Sequence, residues 1–253
     1  ADNWILRSAV EDLKVERIIT SKIEHHAVLH TVWALQDEYK IQVDYVNVNT
    51  DGSLDLTHLS NLLADEKKTL VSLMHVNNET GTVLDLDRVS LICKQYNALF
   101  HSDTVQSVGK TEIDLQKTPV DFILASAHKF HGPKGIGFAF IRKNSGLQPL
   151  LFGGEQEKGL RAGTEAVHQI AGMAKALSIS YEKLDEERAY ISSIKNYLIE
   201  QLEIHFPDFR INGKKDDFYN IINIILPFSS DKTSMLLFSL DMKGIAVSRG
   251  SAC

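Results

Sequence analysis

The sequence predicts an α/β fold, in which a mostly parallel sheet carries helices on both faces and a smaller α+β piece follows. Two observations predict it. From Ala1 to about Lys143, short apolar runs alternate with segments of helical period and length. After an irregular, glycine-rich stretch from Lys143 to Gly163, the chain becomes long and helical, then mixed. No internal repeat or low-complexity segment interrupts either part.

The elements follow in order. Arg17 to Thr20 reads as a short strand. His25 to Lys40 is helical, with Val28, Leu29, Val32, Trp33 and Leu35 on its apolar face. Val43 to Val48 is a strand, closed by a turn at Thr50-Asp51-Gly52. Asp55 caps a helix that runs to Asp65. Thr69 to Met74 is a strand, and Asp85 to Asn97 is a helix with Val89, Ile92 and Cys93 inward. Leu99 to His101 is a short strand ending at Asp103, and the runs Val120 to Leu124 and Gly135 to Ile141 are strands on either side of Lys129. Thr164 to about Phe206 reads as two helices with a break near Ser178 to Tyr181. Asn220 to Leu226 is a strand, Ser230 to Asp241 a helix, and Ile245 to Ser248 a strand. These assignments divide the chain into a large domain over residues 1–150, a linking loop over 151–163, and a helix with part of a small domain over 164–253.

The totals exclude several classes. With 253 residues the chain suffices for one large domain or a domain and a half. A net charge of −6 and a pI of about 5.9 give no electrostatic case for nucleic acid or an anionic membrane. No apolar run is long enough to span a bilayer, and Ala1 onward shows no basic-then-apolar signal pattern. Two cysteines, Cys93 and Cys253, are too few for a disulfide framework and fit a reducing cytoplasm. Ala1-Asp2-Asn3-Trp4 lacks an initiator methionine and runs straight into Ile5-Leu6-Arg7, while a cysteine is the final residue, so the sequence reads as cut at both ends.

The chemistry centres on Ser126-Ala127-His128-Lys129-Phe130-His131-Gly132-Pro133-Lys134-Gly135. A lysine held between two buried strands is partly desolvated, which favours its neutral, nucleophilic amine. Such an amine forms a Schiff base with an aldehyde or ketone, so Lys129 is a candidate to carry a carbonyl compound such as pyridoxal phosphate; a surface loop lysine is the alternative. Ser126 and His128 offer donors suited to a phosphate. Asp103 at a strand end either caps a short turn or pairs with a protonated pyridine nitrogen. Asn77-Asn78-Glu79-Thr80-Gly81 fits a turn, and an amide there also fits a phenolate oxygen or a substrate carboxylate. His25 either lies solvated at its helix start or stacks on an aromatic ring. His26 and His30 stand one helical turn apart, but no third metal ligand accompanies them. Thr164 after Gly163 either caps the long helix or offers a hydroxyl and a helix N-terminus to phosphate. Cys253 follows Arg249 and three small residues, a setting that favours an exposed thiolate.

Taken together, these motifs resemble the pyridoxal-phosphate cysteine desulfurases, within the class V aminotransferase-like branch of fold type I. The resemblance rests on Thr20-Ser21-Lys22-Ile23-Glu24-His25, Met74 to Gly81, His101 to Lys110, Ser126 to Gly135, Arg161-Ala162-Gly163-Thr164 and Gly250-Ser251-Ala252-Cys253, in family order across the chain. It implies a large domain with a sheet of the seven-stranded type. It implies that Lys129 holds the cofactor and moves protons once L-cysteine displaces it. Asp103 would bind the pyridine nitrogen, Gln106 the phenolic oxygen, and His25 would stack on the ring. Asn78 would lie beside the phenolic oxygen and substrate carboxylate. Ser126 and His128 would bind the phosphate, joined by Thr164 from the other subunit of a homodimer. Cys253 would take the sulfur as a persulfide, leaving alanine, and pass it to an iron–sulfur scaffold or another acceptor protein. A nucleic-acid link would be indirect, through tRNA thiolation; no membrane and no metal are implied. Family members begin earlier, with a phosphate loop, and continue past the cysteine to an arginine for the substrate, so the resemblance implies a longer enzyme. Gln156 stands where relatives often place a histidine. An aminotransferase or lyase on another amino acid would need Lys129 and Asp103 but not Cys253, and a truncated, non-catalytic scaffold would need none of them.

Overall fold

The computed structural model describes residues 1–229 and 235–250. Six strands form one sheet: β1 (Arg17–Ser21), β2 (Gln42–Val46), β3 (Thr69–Ser72), β4 (Leu99–Asp103), β5 (Phe122–Ser126) and β6 (Gly137–Ile141), in the order β2-β1-β3-β4-β5-β6. The first five run parallel, and β6 returns antiparallel to β5 with Ser126 opposite Gly137. The direction of β6 follows from length. Residues 127–136 cannot hold the crossover helix that a parallel neighbour needs.

Alternation along the strands builds two cores. Ile18, Leu70, Phe122 and Leu124 face one side, where they meet Ile5, Leu6 and Ala9 of α1 (Asp2–Glu11) and Val28, Val32 and Leu35 of α2 (His26–Tyr39). Their neighbours Ile19, Val71 and Ile123 face the other side. There they meet Leu59 of α3 (Leu56–Leu62) and Val89 and Cys93 of α4 (Leu86–Gln95). With both faces covered, β1 and β3 are buried at every position. Asp55 caps α3 through the Thr57 and His58 amides, as expected, and Asp85 caps α4 through Arg88.

Beyond the loop that holds a 3-10 turn at Gln156–Gly159, α5 (Val167–Glu182) and α6 (Leu184–His205) follow. Lys183 alone separates them, slightly later than the break expected near Ser178 to Tyr181. Strands β7 (Arg210–Ile211) and β8 (Ile224–Ile225) form a separate antiparallel pair. Of the helix expected from Ser230 to Asp241, the described residues form α7 (Leu236–Asp241), and residues 230–234 lie outside them. The apolar run Asn220 to Leu226 yields only two paired residues. Ile245 to Ser248, expected as a strand, is not one. Ile245 and Val247 are exposed, and no neighbouring strand pairs with them among the described residues.

Gly137 shows how tightly β6 lies against β5. A Cβ there would collide with the Ala125 carbonyl oxygen. Gly137→Ala should therefore destabilise the fold by about 1–3 kcal/mol. Urea unfolding should show a lowered midpoint at an unchanged slope.

Candidate active site

Strands β1, β3, β4 and β5 are parallel, so the segments leaving their carboxyl ends open on one edge of the sheet. Those segments carry His25, Asn78, Gln106, His128 and Lys129, while Asp103 and Ser126 are the last residues of β4 and β5. All seven line one cleft of about 1790 Å³, and Thr164 lines it too. The residues singled out from sequence for one site are therefore brought together, with the exception of Cys253, which lies outside the described residues.

Lys129 sits on a 3-10 turn, Ala127–Phe130, fixed from below. Ala127 and Phe130 are buried and pack with Val108 and with Met173, Ala176 and Leu177 of α5. The Ala127 amide donates to Ile136 O at 3.0 Å, and Ala127 O accepts from the Gly132 amide at 2.8 Å. Gly109 makes room for this packing, because a side chain there would press on Phe130. Lys129 itself is half-buried and opens on the cleft. The Ser126 hydroxyl does not cap the turn, and His128 is exposed on the cleft.

Asp103 is buried, and its Oδ1 accepts the Val105 amide at 2.9 Å. Burial raises its pKa, against the lowering pull of that amide and of His25 and Lys129. Asp2 stands nearby. Its carboxyl is raised to about 7 by burial and by the charge on Asp103. His101, fully buried with Nδ1 2.9 Å from Ser72 Oγ, is held down to about 3 by burial. His25 is the N-cap of α2, and its Nδ1 accepts the Ala27 amide at 3.1 Å. Accepting at Nδ1 leaves Nε2 to carry the ring proton in the neutral form.

One expectation from sequence changes. Thr164 does not cap α5: the helix begins at Val167 behind Ala166, with no side-chain cap, and Thr164 remains exposed in the loop. His26 and His30 stack at 4.9 Å on the exposed side of α2, and among the described residues no group of three or more possible metal ligands forms. Gln156 has a role in the loop, where its Oε1 accepts the Gly163 amide at 3.1 Å.

The whole chain, residues 1–253, matches the family model described as aminotransferase class-V. The chain belongs to the aminotransferase class-V family. Among its relatives is the cysteine desulfurase IscS of Clostridium botulinum (strain Kyoto / Type A2), 39% identical over 256 residues, covering 100% of this chain and 64% of that protein. Another is the cysteine desulfurase IscS of Dictyoglomus turgidum, 38% identical, covering 95% of this chain and 60% of that protein. The chain thus spans less than two thirds of the length of these relatives. Among solved structures, a NifS-like protein superposes with a TM-score of 0.89 at 38% identity, covering 98% of this chain and 67% of that one. A NifS-like protein from Rickettsia africae superposes at 0.87 and 31% identity, covering 99% and 67%.

Class-V aminotransferases work with pyridoxal phosphate, and the cleft's residues fit that group. Asp103 is a buried carboxylate at the cleft wall, and the hydrogen bond its side chain makes comes from one backbone amide. A protonated ring nitrogen is the kind of partner that offsets its burial. Lys129 offers an amine on the same cleft, and Ser126 and His128 offer donors for a phosphate.

Sequence reasoning gave no role to Glu24, which is buried beside this site. Its Oε1 accepts from Ser21 Oγ at 2.8 Å and from the Met74 amide at 3.0 Å. Burial, with the charges of Asp103 and Asp2 behind it, raises its pKa from 4.5 to about 8. The folded chain therefore keeps a proton that the unfolded chain has released. Stability conferred by that proton is full below 4.5 and is lost as pH rises to about 8, by up to about 1.4 kcal/mol per pH unit. Glu24→Gln, which cannot ionise, should gain stability relative to the parent chain as urea unfolding is repeated from pH 5 to pH 8. A difference that is constant across that range would contradict the assignment.

Proposed function

We propose that the protein is a pyridoxal-phosphate-dependent cysteine desulfurase. It takes L-cysteine to L-alanine and delivers the sulfur, as a persulfide on Cys253, to an iron–sulfur scaffold or another acceptor protein. The single observation that carries this reading is the convergence of Lys129, Asp103, His25, Asn78, Gln106, Ser126 and His128 on one cleft at the sheet edge. Two cysteine desulfurases at 38–39% identity support the choice of substrate.

When bound, pyridoxal phosphate supplies the electron sink that makes the substrate's bonds labile. The chain supplies the rest. Lys129 Nζ would hold the cofactor and would move protons on and off the substrate carbons. Asp103 would pair with the ring nitrogen, and Gln106 would serve the phenolic oxygen. His25, with its ring fixed by the Ala27 amide, would stack on the cofactor face. Ser126 and His128 would hold the phosphate, and Thr164 of a second subunit in a homodimer would join them. Asn78 serves the phenolic oxygen and the substrate carboxylate. Cys253 then attacks the substrate sulfur as a thiolate. The C–S bond breaks with its electron pair left on carbon, an S–S bond forms on Cys253, and a proton completes alanine.

In this reading residues 1–150 form the cofactor-binding domain, 151–163 the linking loop, and 164–253 the helix and part of the small domain. The two cysteines support a cytoplasmic setting. No helix among the described residues is long and apolar enough to cross a membrane. The test is direct. Full-length protein is loaded with cofactor and its visible band recorded. L-cysteine is then added, and alanine and sulfide are measured. Cys253→Ser should keep the band and abolish sulfide release. Undiminished sulfide from that variant would assign sulfur acceptance to another group.

A further inference from the structure

The turn after β1 and the loop after β3 are joined beneath the cleft by two buried side chains. From the β1 side, Glu24 Oε1 accepts the Met74 amide at 3.0 Å while also accepting Ser21 Oγ at 2.8 Å. From the β3 side, Asn77 Nδ2 donates to Ile23 O at 2.9 Å, and Asn77 Oδ1 accepts the Glu79 and Thr80 amides, each at 2.9 Å. Glu24 is 5% exposed and Asn77 4%. The next residue after each, His25 and Asn78, lines the cleft. Neither Glu24 nor Asn77 does, so neither touches what the cleft binds.

We propose that Glu24 is a positioning residue of this site. By holding the Met74 amide and the Ser21 hydroxyl, it locks the turn that presents His25 to the loop that presents Asn78. The proposal rests on the reading of the cleft as a pyridoxal phosphate site. Glu24 is suited to the part because it keeps its proton at neutral pH and so adds no second negative charge beside Asp103. Its other oxygen, Oε2, has no hydrogen-bond partner among the described residues. Glu24 also borders a small cavity of about 20 Å³, shared with Met74 and Asn77, which is large enough for one water. A neutral carboxyl there acts as an acceptor at Oε1 and a donor at Oε2. Glutamine reproduces both roles and leucine reproduces neither.

The experiment compares full-length parent protein, Glu24→Gln and Glu24→Leu. Three quantities are read: cofactor Kd from titration of the visible band, visible circular dichroism of the bound cofactor, and amide hydrogen exchange. Glu24→Gln should stay within about threefold of the parent in Kd and keep the dichroic band. Glu24→Leu, which orphans two buried donors, should raise Kd by about tenfold or more and change the dichroic band. Its exchange should speed up in residues 21–27 and 73–82, and not in β4 or β5. Ser21→Ala, a milder change, should move the same quantities in the same direction and guards against a leucine variant that fails to fold. If the parent itself binds no cofactor while the two segments still loosen, the lock stands and the cofactor reading fails. Exchange and Kd at parent values in both Glu24→Leu and Ser21→Ala would overturn the proposal, as would loosening spread evenly over the sheet.

Discussion

Replacing Lys129 by alanine is expected to remove the visible band of lysine-held cofactor and to slow L-cysteine turnover by at least 10²- to 10⁴-fold, about the loss of a positioned acid–base group. The expectation rests on placement. The 3-10 turn is pinned by Ala127 and Phe130 against α5, so Lys129 is presented at a fixed point on the cleft. Lys110 is no ready substitute. It sits in a different segment and does not line the cleft. Added primary amines should restore part of the turnover to Lys129→Ala, since a free amine enters the cleft where the side chain is missing. Retention of the band by the variant would show that another group holds the cofactor.

Asp103→Asn carries the second large effect. Asparagine keeps an oxygen for the Val105 amide, so the loop after β4 should hold its shape. What it loses is the negative charge that a protonated ring nitrogen would face. Losing a preorganised charge at the reacting group costs about 10²- to 10³-fold in kcat. The loss should fall on kcat rather than on KM for cysteine, because in the proposed function Asp103 serves the cofactor and not the substrate carboxylate. Asp2 should respond as well. Its carboxyl is raised to about 7 partly by the Asp103 charge, so the variant should bring its titration down. Carbon-detected NMR of the Asp2 carboxyl reads that shift, and an unmoved titration would contradict the coupling.

Much of this site was legible in the sequence because its residues sit at strand ends, and strand ends are where composition changes abruptly. Lys129, Asp103 and Asn78 each follow an apolar run, and a parallel sheet brings such positions to one edge. Asp55 was legible as a cap because capping is local, needing only a carboxylate two and three residues before the amides it serves. The misreadings are of long-range effects. Thr164 has a cap's chemistry, but α5 starts at Val167, where packing of Met173 and Ala176 against the Lys129 turn takes over. Ile245 to Ser248 has strand composition but no pairing neighbour among the described residues, and composition alone makes no ladder. Glu24 gave no usable signal. A glutamate before a helix reads as solvated, and only the approach of the Met74 amide, fifty residues away, makes it a buried acceptor. Asp2 and His101 were passed over for the same reason, since each acquires its character from burial that no local pattern records.

The most direct test of the central claim is a mass balance on the full-length, cofactor-loaded protein given L-cysteine as sole substrate with a thiol reductant. Alanine and sulfide should appear in equal amounts. Omitting the reductant should leave one sulfur per chain on Cys253, read by intact mass. Turnover of cysteine to a keto acid without sulfide, or no turnover by a protein that shows the lysine-held band, would contradict the account.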